Sequence, residues 1–329
     1  MSKRIFTIFG ATGRQGAAVV ESALADGTFT LRAVSRNVDS DASKALIARG
    51  VEVVSADLFD KESLKKAVRG SEIVFGVTNF WDPAIFPADP KGAGEITQGK
   101  NLVDAAKEEG VKYLLWSSLP NISEATKGLY KHVYHCDNKA IIGDYLAASG
   151  VPYSIVYTGW FSENLWAFGS MVPAESGNGY TIPIPKYGPT DTQQATWVKN
   201  DLGPAVLALA KNYNTDKGKE VGVLGGSFPV ITLQFTYPDL AAAISKGMLP
   251  HFFSHPSSQL TRQLVALNKP VNFFSVETTG MAELDEMFLY QAKYDMYPDA
   301  VPNPKLVALG VKFGTLDQFI QEGVLKHFS

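Results

Sequence analysis

The chain has 329 residues, a formal net charge of −3 and 45% hydrophobic residues. That length holds one large α/β domain or a domain with a smaller lobe, and the acidic balance leaves no electrostatic footprint for direct nucleic-acid binding. A single cysteine, Cys136, excludes an intrachain disulfide and fits a reducing compartment.

Taken from the N-terminus, residues 4–9 read as a first strand, and the run Gly10-Ala11-Thr12-Gly13-Arg14-Gln15-Gly16 follows at once. A helical pattern then covers 14–26. Strand, glycine-rich turn and helix in this order cradle the pyrophosphate of a dinucleotide. Gly10 permits the tight turn, Gly13 lets the backbone approach the phosphates, and Gly16 lets the helix pack against the strand. Thr12, Arg14 and Gln15 complete the phosphate loop.

The second strand, 30–35, ends at Arg36 and Asn37, twenty residues past Gly16, where a ribose-reading residue is expected. A carboxylate there would accept from the 2′-hydroxyl of NAD. Arg36 instead offers a guanidinium fork to a 2′-phosphate, with Arg14 as a second positive charge, so NADP(H) is favoured. A solvated strand-end arginine is the bland alternative. After the strand at 51–55, Asp57 and Leu58 stand where an adenine ring would lie, although Asp57 serves equally well to cap the next turn.

Further strands are expected at 73–78, 112–117 and 152–157, with helices at 41–49, 61–69, 94–109 and 137–148. This alternation predicts a doubly wound parallel sheet with helices on both faces. Thr78, Asn79, Phe80 and Trp81 leave the fourth strand at its carboxyl end and should border the cofactor. Residues 82–95, with three prolines and two glycines, make a long connection of the kind that forms a lid or a surface insertion.

Candidate chemistry follows the fifth strand, in Ser117, Tyr134, His135 and Lys139. Lys139 lies one helical turn after His135, so the two share a face. Lys139 can hold the nicotinamide ribose, and His135 or Tyr134 can donate a proton. His132, His135 and Cys136 cannot all face one way on a helix, and no metal is expected. Trp160, Phe161, Asn164 and Trp166 place aromatic groups where a substrate pocket should open; packing between lobes is the competing use.

The second half predicts helix starts behind Thr236, Thr315 and Asp201, and a strand at 220–224. The expected division is a cofactor domain over 1–157 and a smaller, mostly helical substrate or partner lobe over 158–329, interleaved with the first. The N-terminus runs straight into the first strand, leaving no room for a signal peptide, and no apolar run reaches the ~20 residues of a membrane span. A cytoplasmic protein is expected.

Together, residues 9–16, Ser35-Arg36-Asn37, Val77-Thr78-Asn79-Phe80-Trp81, residues 117–122, Lys139, Phe161-Ser162-Glu163-Asn164 and Asp201-Leu202-Gly203-Pro204 make the chain resemble the NmrA-like family. That family is an atypical branch of the short-chain dehydrogenase/reductases. The resemblance implies a Rossmann-type fold, NADP(H) and a cleft under the C-terminal lobe. It also implies one of two functions. Some members resemble reductases of imines, ketones, quinones or conjugated C=C bonds. Others resemble NADP(H) sensors that bind a protein partner without catalysis, for which nuclear entry is open. A homodimer fits either. The usual signature places a tyrosine four residues before the lysine; here that position is His135.

Overall fold

The computed structural model describes residues 4–246, 267 and 269–328. The first half alternates strand and helix, with one extra short helix before α6: β1 (Ile5–Ile8), α1 (Arg14–Asp26), β2 (Thr30–Ser35), α2 (Asp41–Ala48), β3 (Glu52–Ser55), α3 (Lys61–Val68), β4 (Ile73–Gly76), α4 (Ala93–Glu108), β5 (Tyr113–Ser118), the short α5 (Ile122–Ala125), α6 (Tyr134–Ser149) and β6 (Tyr153–Thr158). Local chemistry sets the boundaries. The side chains of Ser40 and Asp60 accept from the first free N–H groups of α2 and α3. Gly27, in the left-handed region at φ 72°, ends α1.

The second half runs β7 (Trp160–Phe161), α7 (Asn164–Ala167), β8 (Val172–Pro173), β9 (Tyr180–Pro185), β10 (Thr192–Thr196), a π-helical turn (Val198–Leu202), α8 (Gly203–Asn212), α9 (Asp216–Val221), β11 (Ser227–Val230), β12 (Leu233–Thr236), α10 (Tyr237–Lys246), β13 (Val271–Val276), α11 (Ala282–Lys293), α12 (Pro304–Ala308), α13 (Leu316–Phe319), a second π-helical turn (Ile320–Val324) and α14 (Leu325–Phe328).

Seven strands form one parallel sheet in the order β11-β6-β5-β4-β1-β2-β3. This is a Rossmann-type doubly wound sheet. Its order reverses beside β1, where β2 lies on one side and β4 on the other, so the crevice at their carboxyl ends is the place for a ligand. One face buries Phe6, Ile8, Val19 and Leu31 against Val206 and Leu209 of α8. The other buries Leu64, Leu102, Leu114 and Ile142. The helix-rich C-terminal portion also carries two three-stranded sheets, β12-β10-β7 and β13-β9-β8, over a third core around Trp160, Tyr187, Tyr237 and Phe319.

Two expectations for the second half are corrected. Residues 220–224 are not a strand. Thr215 caps the helix α9 and Gly222, at φ 74°, ends it. The seventh strand comes later, at Ser227–Val230, and contains Pro229; as an edge strand it tolerates the missing N–H. Asp201 caps no helix start. It lies inside the first π-helical turn, fully buried, and accepts from the Gly314 N–H and the Asn200 side chain, both at 2.8 Å. Burial raises the Asp201 carboxyl above its usual range despite those bonds. Thr315 does cap α13, in a capping box with Gln318, and Thr236 Oγ1 accepts from the Asp239 N–H at 3.2 Å.

Candidate functional site

The glycine turn ends in an open helix start. Gly10 has φ 61°, and the Gly13 N–H donates to its carbonyl at 2.8 Å. A Cβ on Gly16 would fall 2.2 Å from that same carbonyl oxygen, so only glycine lets α1 approach the turn this closely. No side chain caps α1, and no acidic residue stands in its first turn. Its free N–H groups and the positive end of its dipole therefore face an exposed cradle formed by Gly10, Thr12 and Gly13. These residues fit a pyrophosphate.

Arg14 opens α1 but leans toward the second lobe. Its guanidinium donates to Asn164 Oδ1 at 3.2 Å and lies over the Phe161 and Phe168 rings at 5.8 and 5.2 Å. Arg36 stands at the carboxyl end of β2 and pairs with Asp82 at 2.8 Å. The structure does not bring Arg14 and Arg36 onto shared partners. Asn37 is exposed, and its Oδ1 accepts from the Asp39 N–H at 2.9 Å. Asp57 accepts from the Phe59 N–H at 2.8 Å, which is the turn-capping use, while the Leu58 carbonyl accepts from Asn101 at 3.0 Å.

At the ends of β4 and β5 the polar residues interlock. Ser117 Oγ donates to Gln15 Oε1 at 2.6 Å, tying β5 to the glycine turn. Thr78 Oγ1 donates at 2.7 Å to Glu95 Oε1, and the Lys139 ammonium donates to the same oxygen. Glu95, on α4, is completely buried, and the Lys139 side chain is 10% exposed. Charges so far from water persist only because they are paired. Trp116 Nε1 donates to the Lys139 carbonyl at 3.0 Å, fixing α6 against β5.

Tyr134 and His135 begin α6, and both backbone N–H groups donate to Glu283 of α11, at 3.0 and 2.8 Å. The same carboxylate takes a hydrogen bond from His135 Nδ1. Glu283 is thus an N-cap supplied from 148 residues away. Three residues on, Glu286 accepts from the N–H groups of Lys131 and His132, at 2.7 and 2.8 Å, and contacts His132 Nδ1 at 2.6 Å. The His135 ring lies 6.0 Å from Phe80 and 5.7 Å from Trp81, measured between centroids. Phe80 is buried, and Trp81 is 38% exposed. Asn79, exposed, holds the Trp81 N–H at 3.2 Å. The Tyr134 ring packs near His132 instead, with centroids 6.2 Å apart.

The aromatic run after β6 divides. Phe161 and Asn164 meet Arg14, at the junction with the glycine turn. Trp160 is buried and edge-on to Tyr237, and Trp166 stacks on His327 at 4.2 Å and on Phe319 at 5.7 Å. Both tryptophans are packed within the C-terminal portion and not in an open cleft: Trp160 lies against Tyr237 at the start of α10, and Trp166 lies against Phe319 and His327 of the last helices. Neighbouring Glu163 accepts from the Val198 and Lys199 N–H groups, which starts the π-helical turn.

Among the described residues no group of three or more His, Cys, Asp and Glu side chains is arranged to hold a metal ion. His132 and His135 each have a carboxylate partner, and burial pushes the Cys136 thiol well above its usual range, leaving it unreactive. No helix among the described residues is long and apolar enough to cross a membrane. Sequence reasoning missed Glu95, Glu283, Glu286 and Asp82. The Glu-x-x-Glu spacing of Glu283 and Glu286 shows a shared helix face, but nothing local says what that face meets.

The sequence profile of the NmrA-like family matches residues 1–320. The NmrA-like family domain-containing oxidoreductase notA of Aspergillus sp. (strain MF297-2) is 32% identical over 258 residues, spanning 74% of this chain and 72% of that protein. NmrA, a negative transcriptional regulator crystallised with NADP, superposes with a TM-score of 0.77 at 18% identity, covering 99% of this chain and 97% of its own. An NADPH-dependent quinone oxidoreductase from Escherichia coli, crystallised with NADPH, superposes with a TM-score of 0.68 at 21% identity, covering 96% of this chain and 99% of its own. With the glycine turn, the Rossmann-type sheet and the profile in agreement, this chain belongs to the NmrA-like family.

Proposed function

We propose that this protein is an NADPH-dependent reductase of a small, largely apolar metabolite with an imine, ketone, quinone or conjugated C=C bond. The observation that carries the reading is the placement of Lys139 and His135. They lie one turn apart on α6, each held by a buried carboxylate, beside the carboxyl ends of β4 and β5. In this reading residues 1–157 bind the cofactor and 158–329 supply the substrate lobe.

NADPH, when bound, supplies the hydride. The start of α1 with Gly10, Thr12, Gly13 and Gly16 holds its pyrophosphate, Arg36 and Asn37 its 2′-phosphate, and Asp57 and Leu58 border its adenine. Thr78, Ser117 and Gln15 line the nicotinamide side. Glu95 fixes the Lys139 ammonium, which also donates to the His135 carbonyl at 3.5 Å and keeps its third donor for a ribose hydroxyl. Glu283 receives His135 Nδ1–H, and the other ring nitrogen would deliver the proton from the doubly protonated ring, whose charge the carboxylate offsets. Trp81, Phe80 and Phe161 give the apolar walls and exclude water, and Asn164 with Arg14 closes the far side. An iminium substrate already carries its proton and would need His135 least. The relatives named as oxidoreductases and the NADPH-bound fold neighbour support this reading.

The second reading is an NADP(H)-sensing protein that binds a protein partner without chemistry. It is favoured by the absence of a tyrosine at position 135 and by the Lys139–Glu95 pair, which already engages the ammonium. Turnover of NADPH with a panel of cyclic imines, quinones and ketones separates the two.

A further inference from the structure

Arg36 is engaged by a carboxylate that is itself held in place. The Arg36 side chain is 64% exposed, whereas that of Asp82 is only 11% exposed. Asp82 Oδ2 pairs with Arg36 at 2.8 Å, and Oδ1 accepts from the Ala84 N–H at 3.0 Å. The Asp82 backbone is fixed as well. Its N–H donates to the Asn79 carbonyl at 3.1 Å, and its carbonyl accepts from Ile85 and Phe86 at 2.7 and 2.9 Å.

The segment that carries Asp82 also covers His135. Phe80, Trp81 and Phe86 pack on one another with centroids 5.0–5.4 Å apart, and the first two face the His135 ring. At its far end, Asn138 on α6 donates to the carbonyls of Lys91 and Gly92, at 2.9 and 3.0 Å. A shift at Asp82 therefore reaches the aromatic cover within one residue.

We propose that Asp82 sets the preference between NADP(H) and NAD(H) by occupying Arg36 as an internal substitute for the 2′-phosphate. This rests on the reading that Arg36 receives that phosphate. A phosphate carries up to two negative charges, and a buried carboxylate on the same guanidinium opposes it. Binding of the phosphate displaces Asp82 and moves Trp81 relative to His135. A dinucleotide without the phosphate leaves the Arg36–Asp82 pair intact. Asp82 thus lowers the advantage of NADP(H) and couples recognition of its phosphate to the cover of the reaction site.

The test is calorimetric titration of the full chain with NADP+ and NAD+. Asp82→Asn keeps an acceptor for the Ala84 N–H and removes the charge. It is expected to tighten NADP+ about five- to tenfold and change NAD+ by less than about twofold. Asp82→Ser, which also keeps a turn acceptor, should act in the same direction and serves if Asp82→Asn does not fold. Weaker or unchanged NADP+ binding in both variants overturns the proposal. Arg36→Ala separates the two levels. If it leaves the NADP+/NAD+ affinity ratio unchanged, the reading of Arg36 fails and the proposal with it. If it lowers the ratio while neither Asp82 variant raises it, only the role of Asp82 fails. The coupling is read by tryptophan emission: NADP+ should shift it more than NAD+ does, and Trp81→Phe should abolish the difference. Equal shifts in the unaltered protein overturn the coupling.

Discussion

Glu283 holds His135 twice, through its backbone N–H at 2.8 Å and through its ring Nδ1. One carboxylate on α11 thereby starts α6 and orients the imidazole, across 148 residues of chain. A helix terminus and a candidate proton donor share a single support, so the two effects must be separated by variants that keep one and lose the other.

Glu283→Gln keeps an acceptor for the backbone but gives the ring a neutral partner. Loss of such an orienting partner is expected to lower turnover about 10- to 100-fold. NADPH affinity, measured by titration, should stay within about twofold. A large loss of cofactor affinity with normal turnover would remove Glu283 and His135 from the chemistry.

Removing Lys139 leaves Glu95 as an unpaired charge at zero exposure. Lys139→Met is expected to destabilise the fold by about 3–5 kcal/mol, since breaking a buried pair strands its partner. Adding Glu95→Gln should recover much of that loss, because a neutral amide is far cheaper to bury. Denaturant titration of both singles and the double completes the cycle. If the double is no more stable than Lys139→Met, the pair is not what holds α4 and α6 together here.

Gly16→Ala tests the turn. The added Cβ meets the Gly10 carbonyl at 2.2 Å, and neither side of that contact is a flexible side chain. The turn and α1 must separate, and NADPH affinity should fall about tenfold or more. Calorimetry with unchanged affinity would show that the cradle is not where the cofactor sits.

Glu286 gives the acid side of stability. Burial works to raise its carboxyl, but hydrogen bonds from the His132 ring and from the His132 and Lys131 N–H groups outweigh it, and the group is lowered from 4.5. A carboxyl lowered in the fold contributes stability that is present above its unfolded value and is lost as pH falls through the folded one. Thermal melting from pH 6 down to pH 3 should therefore drop less steeply in Glu286→Gln than in the unaltered protein. Parallel curves would contradict the role of Glu286 in joining α11 to the segment before α6.

The sheet was legible because its signals are local. Glycines at the ends of α1, α4 and α6 take left-handed or turn conformations, and apolar runs such as 73–76 and 113–116 are buried whole. The glycine turn, Arg36, Lys139 and His135 stand out as candidates in the same way, by spacing from a motif. Their partners were not, because Glu95, Asp82 and Glu283 are set by packing between distant elements and carry no sequence period. The strand read at 220–224 failed because its apolar residues belong to a helix end and a turn. The true edge strand hides behind Pro229, which argues against a strand unless one knows it lies at the edge. The aromatic run 160–168 was ambiguous between pocket and packing. Trp160 and Trp166 take the second course only because elements distant in sequence return to cover them, Tyr237 of α10 on the first and His327 of α14 on the second.

The most direct test of the account is steady-state oxidation of NADPH by the full chain with cyclic imines, quinones and ketones, alongside His135→Ala and Lys139→Ala. Turnover is expected with at least one of these classes, lost in Lys139→Ala and reduced in His135→Ala while NADPH still binds. Tight NADPH binding with no turnover of any class would contradict it and leave the sensing role.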